Sequence, residues 1–193
     1  MKTIGCFFGT FDPIHNGHLR LIDFFVNETD LDEVLIIITP LNPLKSKSLT
    51  TKEDRLKMAE ISILNKKNIR ISRIEFLMNK PNYTINTLNE LSRLNPENKF
   101  VLLIGEDNLT RFNEWKNHEE ILKSYNLYVY PRKTDFSIPK EFLNNPNIKI
   151  FNAPLLKISS SQIRKTLEEN MDVIDLIHPK VYKYIKQNKI YIL

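Results

Sequence analysis

The chain has one cysteine, Cys6, in 193 residues. No intrachain disulfide can form, which fits a reducing compartment. Cys6 lies inside an apolar run, the usual place of a buried, inert thiol. Long apolar stretches are also missing. The run in MKTIGCFFG stops at Gly9, too short for a secretion signal with its cleavage site, and no later run reaches membrane-spanning length. A cytoplasmic protein with no membrane partner is expected. With only 4 glycines there is no Gly/Ser linker, and no repeat or low-complexity tract appears. The formal net charge is +5, yet basic residues alternate with acids, as in TKEDRLK. Such a balance suits small anions such as nucleotides as well as nucleic acid. An RNA-binding α/β protein would need aromatic stackers on a sheet face or an arginine-rich stripe; neither is visible, so no nucleic-acid partner is expected.

What is present is ordinary globular composition, 41% hydrophobic and 26% charged, enough for one domain over 1–193. Short β-rich runs occur at Thr3–Phe8, Glu33–Thr39, Ile69–Phe76, Lys99–Ile104, Leu127–Tyr130 and Ile148–Phe151. VLIIIT and FVLLIG are nearly continuous apolar runs, the pattern of strands covered on both faces. Helical spacing fills the gaps: GHLRLIDFFVNE, TKEDRLKMAEISIL with Thr51 as cap, TINTLNELSRL with Thr84 as cap, and LTRFNEWKNHEEILKSY. Alternating strands and helices predict an α/β fold, a doubly wound, Rossmann-like parallel sheet with helices on both faces. The part from about 155 to 193 reads as helical. In such sheets ligands bind beyond the carboxyl ends of the strands, so the loops there carry the candidate chemistry.

After the first strand, GTFDPIHNGH places a Gly9-Thr10 turn before a helix starting near Asn16 or Gly17. Backbone N–H groups and the helix's positive end make an anion site there, with His15 and His18 beside it. A zinc reading fails, because the H-x-x-H pair has no suitably spaced third ligand. Far downstream, KISSSQIRK offers a second helix start, with Ser159 and Gln162 in capping-box spacing and Arg164 one turn on. TPLNPLKS carries Lys45 on a proline-stiffened loop. PNYTINTL and LIGEDN place Tyr83, Thr84, Gly105 and Asp107 at other loop mouths. Trp115, the only tryptophan, reads as lying on the helix that follows. YPRK adds Arg132, while His118 and His178 read as surface or structural.

Two of these stretches carry a resemblance. GTFDPIHNGH resembles the G-[TS]-F-x-P-x-H-x-G-H signature of the nucleotidylyltransferase superfamily, and ISSSQIR resembles its I-S-S-[ST]-x-[IL]-R motif. The chain is similar to the nicotinate-nucleotide adenylyltransferase family from Met1 to LIHPKVYKYIKQNKIY. That resemblance implies joining of ATP and nicotinate mononucleotide, with release of pyrophosphate. It implies that His15 and His18 act at the phosphates. Gly9, Thr10, Phe11, Gly17, Lys45, Gly105, Asp107, Arg132, Ile158, Ser159, Ser160, Ser161 and Arg164 would bind ATP. Phe8, Tyr83, Thr84 and Trp115 would meet the acceptor, the indole stacking on the pyridine ring. Mg²⁺ would arrive on the ATP rather than in a protein cage. Asp12 is the nearest acid, and no ligand role is assigned to it. Phe8 departs from the Gly-Gly that many relatives carry, which leaves nicotinamide mononucleotide and phosphopantetheine as alternative acceptors. Phosphopantetheine adenylyltransferases differ in having threonine in place of His15 and no Trp115 segment. Class I aminoacyl-tRNA synthetases share H-x-G-H, but the chain is too short for one. A homo-oligomer is left open.

Overall fold

The computed structural model describes residues 1–40, 50–155 and 157–191. Six strands, β1 (Thr3–Gly9), β2 (Glu33–Ile38), β3 (Ile69–Ser72), β4 (Lys99–Gly105), β5 (Asn126–Tyr130) and β6 (Ile148–Ile150), form one sheet in the order β3-β2-β1-β4-β5-β6. Every pairing is parallel. The predicted fold class holds, and its cause is visible in β2, where all 6 residues are buried. Successive side chains of a strand face opposite sides. Val34, Ile36 and Ile38 accordingly join one hydrophobic cluster, and Leu35 and Ile37 the other. Truncating Ile37 to alanine would cost about 2–5 kcal/mol, since no solvent can fill the gap. Cys6 is buried in the second cluster, and burial raises its thiol pKa.

The helices are α1 (Asn16–Glu28), α2 (Lys52–Ser62), α3 (Ile74–Leu77), α4 (Thr84–Leu94), α5 (Glu106–Leu109), α6 (His118–Ser124), α7 (Lys140–Leu143), α8 (Ser160–Glu168) and α9 (Pro179–Gln187). Buried residues of α1, α2, α8 and α9 cover one face of the sheet, and those of α4, α6 and α7 the other. From β1 the chain winds outward to β2 and β3, and from β4 it winds the opposite way. The crevice beyond the neighbouring ends of β1 and β4 is therefore the switch point where ligands bind in such sheets.

Three expectations are corrected. The third strand ends at Ser72, not Phe76. The Ser72 hydroxyl accepts the Ile74 N–H and turns the chain into α3, which buries Glu75 instead of alternating it outward. The single helix expected over LTRFNEWKNHEEILKSY is broken into α5, a 3-10 turn at Phe112–Glu114, and α6. Asn117, at φ 53°, makes the break, a left-handed conformation that asparagine tolerates. Trp115 therefore sits in extended backbone at the end of the turn rather than on a helix. Thr84 is the first residue of α4 and not its cap; Tyr83 holds the cap position without a side-chain hydrogen bond. The stretch containing Lys45 lies outside the described residues.

Candidate active site

The loop leaving β1 is shaped by close packing. A Cβ on Gly9 would stand 2.8 Å from the Phe11 ring, so only glycine lets that ring fold back. Phe11 itself adopts φ 50°, a strained left-handed conformation costing about 1–2 kcal/mol. Its ring is buried edge-on against Phe7 and His18.

His15 then takes the cap position of α1, and each histidine caps the other's backbone. The His18 N–H donates to His15 Nδ1 and the His15 N–H to His18 Nδ1, both at 3.3 Å. The two rings stack with centroids 3.5 Å apart. Because each Nδ1 accepts, each neutral ring carries its proton on Nε2, where it can donate. Burial, helped by the positive charge of Arg132, pushes the His15 pKa down to about 4. Near neutral pH His15 is thus a neutral donor, not a cation.

The second motif closes over the first. Ser159 caps α8 by accepting the Gln162 N–H at 3.2 Å. The Ser160 hydroxyl donates to the Pro13 carbonyl at 2.9 Å. Arg164 donates to the Asp12 carbonyl at 2.7 Å and to Ser161 Oγ at 3.2 Å. The starts of α1 and α8 meet here, with no acidic residue in either first turn. Two helix N-termini and the Arg164 guanidinium converge here, an arrangement whose chemistry suits an anion.

Several braces behind it were not seen in the sequence. Asp12 Oδ1 accepts from the hydroxyls of Thr50 and Tyr191, so this acid secures the loop. Arg55 is buried and donates to the carbonyls of Thr10 (2.7 Å), Thr39 (2.8 Å) and Pro40 (2.9 Å). It clamps the loops after β1 and β2 together. A signal existed: Arg55 shares the helical stripe of Met58, Ala59 and Ser62, where a core residue belongs.

At the end of β4, a Cβ on Gly105 would lie 2.3 Å from Asp107 Oδ1 and 2.5 Å from Arg132 Cγ. Glycine is required for these two side chains to approach, and they sit 3.7 Å apart as an ion pair.

The other end of the crevice is aromatic. Trp115 packs against Phe112 at 5.2 Å between ring centroids and is half-buried. Opposite stands the start of α4, with no side-chain cap and no acid in its first turn. Lys116 Nζ lies 4.3 Å from the centre of the Tyr83 ring. Beneath, buried Glu75 accepts from the Thr87 hydroxyl at 2.9 Å, and burial raises its pKa. Asn82 donates to the Glu75 carbonyl at 3.2 Å. Among the described residues, Thr10 Oγ1, Glu75 Oε2 and Asn82 Oδ1 are buried polar atoms with no hydrogen bond of good geometry. All three residues border the crevice. Unsatisfied polarity gathered in one place marks a surface made for more than self-packing.

Both ends open into one cleft of about 790 Å³. Its wall brings together Phe8, Gly9, Thr10, Phe11, His15 and His18 from the first loop. Ile158, Ser159, Ser160, Ser161 and Arg164 line it from the second motif, and Tyr83, Thr84, Asp107, Trp115 and Arg132 from the other loops. Gly17 is buried in the first turn of α1, behind the wall, and Gly105 supports Asp107 and Arg132 from below.

The chain matches the family model described as cytidylyltransferase-like over residues 6–166. It is 41% identical to a probable nicotinate-nucleotide adenylyltransferase of Flavobacterium psychrophilum, covering 97% of this chain and 98% of the relative. The chain belongs to the nicotinate-nucleotide adenylyltransferase family. A Cytophaga hutchinsonii relative of the same description is 43% identical, with 97% of each chain covered. The solved Plasmodium falciparum nicotinic acid mononucleotide adenylyltransferase complexed with NaAD superposes with a TM-score of 0.81. It is 26% identical and covers 99% of this chain and 98% of its own. Against this family frame, Phe8 stays on the cleft wall and packs on the second hydrophobic cluster, so its bulk is absorbed by the core. No described helix is long and apolar enough to cross a membrane.

Proposed function

We propose that the protein transfers the adenylyl group of ATP to nicotinate mononucleotide, giving nicotinate adenine dinucleotide and pyrophosphate for NAD biosynthesis. The observation that carries the reading is one cleft with an anion receptor at one end and an aromatic, uncapped helix start at the other. A molecule with phosphates in the middle and a flat, carboxylated ring at its end matches that arrangement. Its volume lies within the ~300–1,000 Å³ of small-molecule sites.

An oxygen of the acceptor phosphate attacks the α-phosphorus of ATP in line. The new O–P bond forms as the bond to the β-phosphate bridging oxygen breaks, and pyrophosphate leaves with that electron pair. The acceptor phosphate is already ionised, so no general base is required. Catalysis is positioning and charge stabilisation. His15 and His18 donate Nε2–H to the triphosphate; Ser159, Ser161 and Arg164 hold the leaving pyrophosphate. Thr10, Ile158, Asp107 and Arg132 border the nucleoside. A bound polyanion beside His15 raises its pKa, so the site can gain positive charge when ATP enters. At the other end the Trp115 face stacks on the pyridine ring, and free N–H groups at Thr84 receive the carboxylate.

Among the described residues no three His, Cys, Asp or Glu side chains are grouped to hold a metal ion. Donors of N–H and O–H type suit anions, so Mg²⁺ is read as part of the MgATP substrate, where it neutralises phosphate charge. The reading places the protein in the cytoplasm, with ATP and nicotinate mononucleotide as its small-molecule partners.

Purified protein with MgATP should release pyrophosphate and form a dinucleotide of the expected mass when nicotinate mononucleotide is added. Transfer to phosphopantetheine, with none to a pyridine mononucleotide, would refute the acceptor.

A further inference from the structure

We infer that the Lys116 side chain selects a carboxylate-bearing acceptor over its carboxamide counterpart. The inference rests on the function proposed above and adds a residue to it. Lys116 follows Trp115 directly and lines the cleft with Tyr83 and Thr84. The Tyr83 ring holds its ammonium at 4.3 Å from the centroid, a contact that parks the charge beside the α4 start without neutralising it.

The other charges lining the acceptor side of this cleft have partners. Arg111 and Glu114 pair with each other through two bonds of 2.9 and 2.7 Å. Arg132 pairs with Asp107 at the nucleotide end. Glu75 is buried below, bonded to Thr87. Lys116 makes no ion pair among the described residues. Helix N–H groups favour a carboxylate, but they also donate to the carbonyl oxygen of an amide. A full positive charge separates the two ligands better, since only the acid gains an ion pair. Lys116 is exposed in the free protein; in the proposed complex the stacked ring on one side and Tyr83 on the other partly shield that pair from water. It therefore exceeds an ordinary surface pair.

The test compares kcat/KM for nicotinate and nicotinamide mononucleotide in the wild type, Lys116→Met and Lys116→Arg. Methionine keeps an unbranched side chain of nearly the same length, able to pack on the Tyr83 ring, while removing the charge. The acid-to-amide ratio should fall about tenfold in Lys116→Met, an effect of the size of one partly shielded charged contact. Lys116→Arg should restore most of it, and raised salt should shrink the ratio in the wild type and in Lys116→Arg but not in Lys116→Met. Equal losses on both acceptors would make Lys116 a structural residue, and an unchanged ratio would make it a solvated one; either overturns the inference. A wild type that uses neither acceptor refutes the proposed function itself, a result distinct from a failure seen only in the variants.

Discussion

The two ends of the cleft are built differently. At the end that holds the two helix starts, His15 and His18 cap each other's backbone, and Arg164 spans the Asp12 carbonyl and Ser161. Arg55, Thr50 and Tyr191 brace the loop from behind. At the acceptor end α4 starts without a cap, Trp115 ends a short turn, and Lys116 rests on Tyr83 through a single ring contact. On the proposed function, the difference separates two jobs. Charge stabilisation in a transition state needs preorganised donors that cost nothing to align. Recognition of one ring among similar rings needs a few exchangeable contacts.

The sharpest way to break this contrast is to remove one donor at the rigid end. His15→Asn keeps an oxygen for the cap but deletes the Nε2–H. Turnover should fall about 10²–10³-fold, the effect of losing one preorganised donor, with the melting temperature little changed. Turnover near wild type in steady-state assays would deny the role. Next in size is Trp115→Ala, which should raise the acceptor KM about tenfold to a hundredfold through lost stacking. The ATP KM should stay put; a parallel rise in both would return Trp115 to a packing role.

Smaller effects probe the bracing. Tyr191→Phe removes a hydroxyl that donates to Asp12 and should cost about 1 kcal/mol in denaturant unfolding. Turnover should drop a few-fold with the acceptor KM unchanged. The smallest effect is in pH. Above the ordinary histidine value of 6.5, His15 is neutral in both folded and unfolded chains. Between 6.5 and about 4 the unfolded chain takes up a proton that folded His15 refuses. Stability therefore falls on acidification, by about 1 kcal/mol at pH 5.5. His15→Asn should show a shallower acid slope in thermal melts of the empty protein, and identical slopes would contradict the burial argument.

Much of this was legible in the chain. Continuous apolar runs such as VLIIIT announced a sheet covered on both faces, and the loops after β1 and before α8 carried readable helix-start chemistry. The braces were not legible. Tyr191 and Asp12 meet across nearly the whole chain, and no local pattern pairs them. Arg55 was hidden by its charge, which reads as surface although its spacing is that of the core. The helix over Trp115 was misread because the periodicity of Leu109, Phe112 and Ile121 passes through a left-handed break at Asn117. Two short helices burying the same face imitate one long helix.

Trp115 is the only tryptophan in the protein, so its fluorescence reports the acceptor end alone. Titration with nicotinate mononucleotide, without ATP, should quench that emission saturably, because an electron-poor ring stacks on the indole. ATP alone should leave it nearly unchanged. Turnover with no quenching by nicotinate mononucleotide, or equal quenching by ATP, would contradict the division of the cleft into a phosphate end and a ring-recognising end.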